Sequence, residues 1–166
     1  DWATHLIKLR NIQSETGGIT EFIPLPYVSM ESPMYKRGNA RPGPTFREVM
    51  LMHAVSRIAL NPHIKNIQAS WVKLGKEGAL SCLNAGVNDM GGTLMNESIS
   101  RAAGSIHGQE FEANRMEDFI TSAARKPQLR NTLYESIESE VNREIAIDLN
   151  VNPMQIFMHS AHPVAY

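Results

Sequence analysis

The feature that most constrains this chain is a repeated switch in the spacing of its apolar residues. Short, nearly continuous apolar runs, "ITEFIPLPY" (19–27), "IKNIQASWV" (64–72) and "VNDM" (87–90), are separated by longer stretches whose apolar residues recur every three to four positions. The first kind suits a buried strand and the second suits one face of a helix. Strand, helix and strand in turn, at roughly 20 to 45 residues per step, is the pattern of right-handed crossover units that build a parallel sheet. The predicted fold class is therefore α/β.

Local signals punctuate this order. Trp2, Leu6, Leu9 and Ile12 form the apolar stripe of a first helix, which Gly17 and Gly18 close. No capping residue or first turn precedes that stripe, so the chain is expected to be a fragment or a processed product. Pro24 and Pro26 stop the first strand because neither can donate to a sheet. Residues 28–44 read as one long loop. Thr45 followed by Glu48 is a capping box opening a helix through "VMLMHAVSRIAL". The second strand should run from Ile64 through Trp71, and "GKEGALSCLNAG" should be a short helix closed by Gly86. A third, very short strand leads into the pair Gly91 and Gly92, after which residues 96–104 begin another helix or turn. "EANRMEDFITSAAR" (112–125) directs Met116, Phe119, Ile120 and Ala123 inward, and a last helix is expected from Tyr134 on, with Ile137, Val141 and Ile145 aligned.

Composition removes several function classes. Sixteen Lys and Arg against 17 Asp and Glu leave a net charge of -1, which gives no electrostatic footprint for nucleic acid or an anionic membrane. The single cysteine, Cys82, cannot form an internal disulfide and sits at apolar helical spacing, as a core thiol would. No apolar run is long enough to cross a membrane, and the first residues lack a signal-peptide core, so a cytoplasmic location is expected. His53 lies beside an apolar helical stripe, as a packing histidine does. His159 and His162 are spaced for ligation from a helix, but no third ligand accompanies them and Pro163 interrupts. No metal site is expected in this chain.

In parallel α/β sheets, ligands bind beyond the carboxyl ends of the strands, where the loops diverge. Applied here, that rule gathers Ser70, Trp71 and Lys73 from the second strand with Asn88, Asp89, Gly91, Gly92, Thr93, Asn96 and Glu97 from the third. The glycines suit either close approach of a ligand to the backbone or a strained turn. Asn96, Glu97 and Ser98 suit either ligand contact or capping of the next helix. The density of polar groups after the glycine pair is what marks the stretch.

Several of these motifs resemble one family. "ITEFIPLPYVSMESPMY", "GPTFREVMLMHAVSRIAL", the long run "NIQASWVKLGKEGALSCLNAGVNDMGGTLMNESISRAAGSIHGQE" and "RNTLY" are similar, in order and density, to the carboxyl-terminal half of the FO synthase family of radical S-adenosylmethionine enzymes, and within it to the tyrosine-using component. The resemblance covers about residues 1–135. It implies that residues 1–134 are the carboxyl-terminal half of a partial (β/α) barrel, with residues 135–166 a helical extension. It also implies a transferase that joins a tyrosine-derived 4-hydroxybenzyl group to 5-amino-6-(D-ribitylamino)uracil on the way to the coenzyme F420 chromophore, using S-adenosylmethionine and a [4Fe-4S] cluster. The family's Cys-x3-Cys-x2-Cys loop is absent from this chain, so the cluster, and the other half of the barrel, belong elsewhere in the full-length protein, and this chain alone is expected to be inactive. On this reading Asp89 or Glu97 would meet ribityl hydroxyls or amino groups, and Lys73 a substrate carboxylate. Two other readings stand beside it: a non-catalytic subunit derived from a barrel, and an unrelated hydrolase or lyase with Asp89 and Glu97 as acid and base.

Overall fold

The computed structural model describes residues 1–94, 97–108 and 110–137, together with the backbone of residues 157–160. Its elements are α1 (Trp2–Thr16), β1 (Glu21–Phe22), α2 (Pro33–Lys36), α3 (Phe46–Leu60), β2 (Asn66–Ile67), α4 (Trp71–Asn84), β3 (Asp89–Gly92), α5 (Ile99–Ala102), α6 (Ala113–Ser122), β4 (Pro127–Arg130) and β5 (Phe157–Ser160). This is a mixed α/β arrangement with a small parallel sheet. β1 pairs with β2 in parallel, and Gln68, just past β2, forms a parallel bridge with Asp89 of β3. The amide of Gln68 donates to Phe22 O at 3.0 Å and that of Ala69 to Asp89 O at 2.9 Å, so the three predicted strands lie side by side in chain order.

Alternation along these strands gives the sheet two unlike faces. Phe22, Ile67, Met90 and Leu129 point into an apolar core with Val49 of α3, Ala79 and Leu83 of α4, and Met116 and Ile120 of α6. Their neighbours Glu21, Gln68, Asp89 and Arg130 meet one another on the opposite face. Successive strand residues point to opposite sides, so one polar residue per strand is enough to line that face. A second apolar cluster, Leu6, Leu60 and Ile64, joins α1 to α3.

The helix boundaries follow their signals. Gly17 takes the left-handed conformation, φ 63°, and its amide bonds Gln13 O at 2.9 Å, closing α1. Thr45 and Glu48 form the reciprocal capping box at the start of α3.

Other expectations are corrected. The second strand stops at Ile67, and Trp71 begins a helical turn in which the amides of Lys73 and Leu74 bond Ser70 O at 3.1 and 3.0 Å. The apolar run continued past the strand because Trp71 and Val72 pack inward from the turn as they would have from a strand. Gly75 then breaks the helix with φ 69°, and the ring of His107 lies where a side chain would stand, 2.8 Å from an ideal Cβ. Only Leu6 and Leu9 of the first stripe face the core, while Trp2 and Ile12 are 40% and 50% exposed. The loop 28–44 contains the single turn α2.

At the tail, no helix starts at Tyr134. Residues 134–137 fold back along β4, with an antiparallel bridge from Arg130 to Ser136 and the Ile137 amide on Leu129 O at 3.0 Å. The predicted helical positions Val141 and Ile145 lie outside the described residues. β5, which the sequence did not announce, runs antiparallel between β3 and β4, so His159 stands in a strand; His162 lies outside the described residues. Among the described residues no helix is long and apolar enough to cross a membrane.

Candidate functional site

The carboxyl ends of β2 and β3 open on a cleft of about 210 Å³ lined by Gln68, Ser70, Trp71, Val72, Met90, Gly91, Gly92 and Leu94. Four of the predicted site residues, Ser70, Trp71, Gly91 and Gly92, therefore share one mouth. Trp71, 4% exposed, donates from Nε1 to Gly92 O at 3.0 Å and packs edge-on against Phe111 with ring centres 5.3 Å apart. The indole thereby satisfies the strand-end carbonyl and forms a rigid wall of the cleft.

Beneath the mouth lies a network that joins four strands. Asp89, fully buried, accepts from the Gly91 amide at 2.7 Å through Oδ1 and from Arg130 Nε at 2.8 Å through Oδ2, and Arg130 Nη2 bonds the same oxygen. Arg130 also donates to Tyr134 Oη at 2.9 Å, its guanidinium lying 3.5 Å from that ring's centre. Tyr134 donates to Glu21, which lies 3.7 Å from Arg130 and accepts from Gln68 Nε2 at 3.1 Å. Burial raises the Asp89 carboxyl above its ordinary value, against the opposing pull of Arg130, the Gly91 amide and Tyr134. Burial, then the Asp89 charge, raises the Tyr134 phenol, so it stays a neutral donor.

The other predicted residues part from this mouth. Lys73 faces two neighbouring clefts, of about 520 and 420 Å³, which share Pro26, Tyr27 and Val28, and its Nζ donates to Ser100 Oγ at 2.8 Å. Glu97 caps α5, accepting from the amides of Ile99 at 2.9 Å and Ser100 at 2.9 and 3.0 Å. Asn88 stands at the amino end of β3, where Oδ1 accepts from Ile67 N at 2.9 Å and from Arg57 Nη2 at 2.5 Å. Thr93 follows the glycines with intermediate exposure, and Asn96 lies outside the described residues.

Glu21, Gln68, Arg130 and Tyr134 were missed by sequence reasoning. Two carried a signal: Glu21 in "TEF" and Gln68 in "IQA" are single polar residues interrupting apolar strands, which a period of two assigns to a polar face. Arg130 and Tyr134 bound the motif "RNTLY", which marked the resemblance but gave neither residue a role, and "PQLR" shows no strand pattern that would have placed Arg130 on the polar face.

Elsewhere, a cleft of about 310 Å³ runs between α1, the exit of β1 and α3. His53 lines it fully buried, Nδ1 2.8 Å from Val49 O, and burial lowers its imidazole below the ordinary value. The carboxyl of Glu48 is lowered too, first by its bonds to Thr45. Among the described residues no group of three or more His, Cys, Asp or Glu is placed to hold a metal ion. Cys82 is fully buried against Met50, with its thiol pushed up to about 11 by burial, and so is unsuited to ligate a cluster as a thiolate.

The fold and site define an α/β protein whose parallel strands end at a lined mouth above a buried charged network. The chain belongs to the family described as the CofH/MqnC C-terminal region, whose model matches residues 16–143, past Tyr134 where the quoted motifs end. It is 49% identical over 138 residues to the 5-amino-6-(D-ribitylamino)uracil–L-tyrosine 4-hydroxyphenyl transferase of Methanopyrus kandleri, covering 83% of this chain and 37% of that protein. It is likewise 49% identical over 150 residues to transferase 1 of that name from Methanosarcina mazei, covering 86% of this chain and 39% of that protein. With the FO synthase of Streptomyces avermitilis it shares 46% identity over 145 residues, 87% of this chain and 17% of that protein. The chain thus spans well under half the length of these relatives.

Proposed function

We propose that this chain is the carboxyl-terminal, substrate-binding part of a radical S-adenosylmethionine transferase that joins a tyrosine-derived 4-hydroxybenzyl group to 5-amino-6-(D-ribitylamino)uracil in FO synthesis. The observation that carries the reading is the 49% identity over 138 residues to a transferase named for those two substrates. The mouth supports it, since a slot walled by Trp71 and glycine backbone suits flat rings. On this reading residues 1–134 supply strands and helices of the carboxyl-terminal part of a partial barrel, the polar face of the sheet lines its interior, and residues 135–166 are an extension whose first residues, to 143, still match the family model. Asp89 serves this surface by holding the Gly91 amide from beneath, and Lys73, Thr93, Asn96 and Glu97 are the further residues proposed to contact substrate.

The S-adenosylmethionine and [4Fe-4S] cluster belong to the whole enzyme. Cys82 does not fit the cluster, so on this reading its thiolates come from residues outside this chain. The test is to incubate the full-length protein, with its cluster reconstituted, with tyrosine, the ribityl pyrimidine, S-adenosylmethionine and a reductant. The coupled product should appear by mass; its absence, with S-adenosylmethionine still cleaved, would refute the substrate assignment.

A further inference from the structure

We propose that Gln68 determines specificity at the mouth by presenting its side-chain oxygen to a hydrogen-bond donor on the edge of a flat ring, which rests on the reading that substrate rings enter here. Gln68 follows β2 directly and lines the cleft with Trp71 and Gly91. Its Nε2 donates to Glu21 Oε2 at 3.1 Å. A carboxylate only accepts, so this bond fixes which way the amide lies and turns Oε1 to the other side. There Oε1 lies over Gly91: a Cβ on that residue would come within 2.9 Å of it. Gly91, at φ 70°, thus leaves the oxygen uncovered and suits the strand end that carries it.

Two neighbouring polar groups of the mouth are already engaged. Trp71 Nε1 occupies Gly92 O, and Asp89 occupies the Gly91 amide. Oε1 of Gln68 bonds no donor among the described residues, so it is an acceptor open to a ligand, next to the Ser70 hydroxyl, which makes no capping bond. Its anchor is itself held, because Glu21 receives the Tyr134 hydroxyl. The oxygen is therefore oriented before binding, and the half-buried Leu94 provides apolar surface for the ring. Two substrates of the proposed reaction carry such a donor, the pyrimidine as ring N–H and tyrosine as phenol O–H. Glu21 acts through Gln68 as a positioning residue.

The experiment compares the full-length protein with its Gln68→Met variant, which keeps the length of the side chain and removes the acceptor. Binding of 5-amino-6-(D-ribitylamino)uracil and of tyrosine is titrated calorimetrically, and KM and kcat are measured for each. Loss of one hydrogen bond should raise Kd and KM for one of the two roughly tenfold, with kcat at saturation little changed, and the affected substrate is the occupant. Glu21→Gln should reproduce part of the rise. Should Gln68→Met fail to fold, wild-type protein is titrated with the N-methylated pyrimidine and with O-methyltyrosine, one of which should lose affinity by a similar factor. Unchanged affinity for both substrates in the variant, or for both methylated analogues in the wild type, overturns the inference. If no coupled product forms yet Gln68 still governs binding, the reaction assignment falls and the role of Gln68 stands.

Discussion

The two ends of the parallel sheet are built on opposite principles. At the amino ends Arg57 reaches from α3 to three segments at once: Nε to Gly86 O at 2.6 Å, Nη1 to Lys65 O at 2.7 Å and Nη2 to Asn88 at 2.5 Å. Gln13 closes the α1–β1 junction from both ends of its amide, taking Ile19 N at 2.6 Å and giving to Ile19 O at 2.9 Å and His63 O at 3.1 Å. Side chains there are spent on backbone. At the carboxyl ends the Ser70 side chain makes no capping bond and Gln68 Oε1 bonds no donor among the described residues, while the charged network sits one layer below. Side chains at the amino ends thus hold backbone, while the mouth at the carboxyl ends, where the loops of a parallel α/β sheet diverge, keeps polar side-chain atoms without such partners.

The largest effect expected from breaking this division is at Arg130, which serves both sides. Arg130→Met leaves Asp89 as a buried carboxylate with its ion-pair partner removed, and should cost about 3–5 kcal/mol in chemical denaturation. The sign of its pH dependence follows from burial. The folded value of Asp89 lies above the ordinary 3.8, so its contribution to stability is full below that value and is lost as pH rises through the folded value. Removing the guanidinium takes away a downward pull and raises the folded value further. The variant should therefore be most impaired near neutral pH and recover part of the deficit on acidification. A deficit independent of pH would show that Arg130 acts through packing on Tyr134 rather than through charge.

Arg57→Met sharpens the comparison from the other end. Two backbone carbonyls lose the Arg57 donor and Asn88 Oδ1 keeps only the Ile67 amide, for a cost of about 2–3 kcal/mol in the same assay. Ligand affinity should not move, because none of those partners lines the cleft. If affinity for either substrate fell as steeply as stability, the separation of the two ends would be wrong.

How much of this was legible depended on where the signal lay. Thr45 with Glu48, and Gly17 after an apolar stripe, are local rules carried by a few neighbouring residues, and each element formed where they placed it. The convergence of Ser70, Trp71, Gly91 and Gly92 was also legible, because the topology of a parallel sheet needs only the order of strands. Trp71 was placed in the wrong element, since apolar character alone cannot separate a strand end from an inward-facing helical turn. Asn88 and Glu97 have local backbone partners, a role that side-chain chemistry shares with ligand binding and that only geometry distinguishes. The Asp89–Arg130 pair spans 41 residues and joins a strand to one that the sequence did not announce, so no window of the chain contained it.

The smallest effect tests whether position beside a cleft alone confers a role. Thr45 caps α3 beside Pro44 and Phe46, both lining the 520 Å³ cleft, yet its hydroxyl is directed to the Glu48 amide at 3.3 Å and to the Glu48 carboxylate at 3.0 Å. Thr45→Ala removes an acceptor for an otherwise unpaired helix-end amide and should cost about 1 kcal/mol. Thr45→Asn, which retains an accepting oxygen, should restore most of it. Neither variant should change the affinity for tyrosine or the pyrimidine, because the threonine side chain is directed along the helix and not into the cleft. A shift in affinity with Thr45→Ala, abolished by Thr45→Asn, would mean that the start of α3 sets the shape of the mouth, and the boundary between the two ends would have to move one helix turn toward the interior.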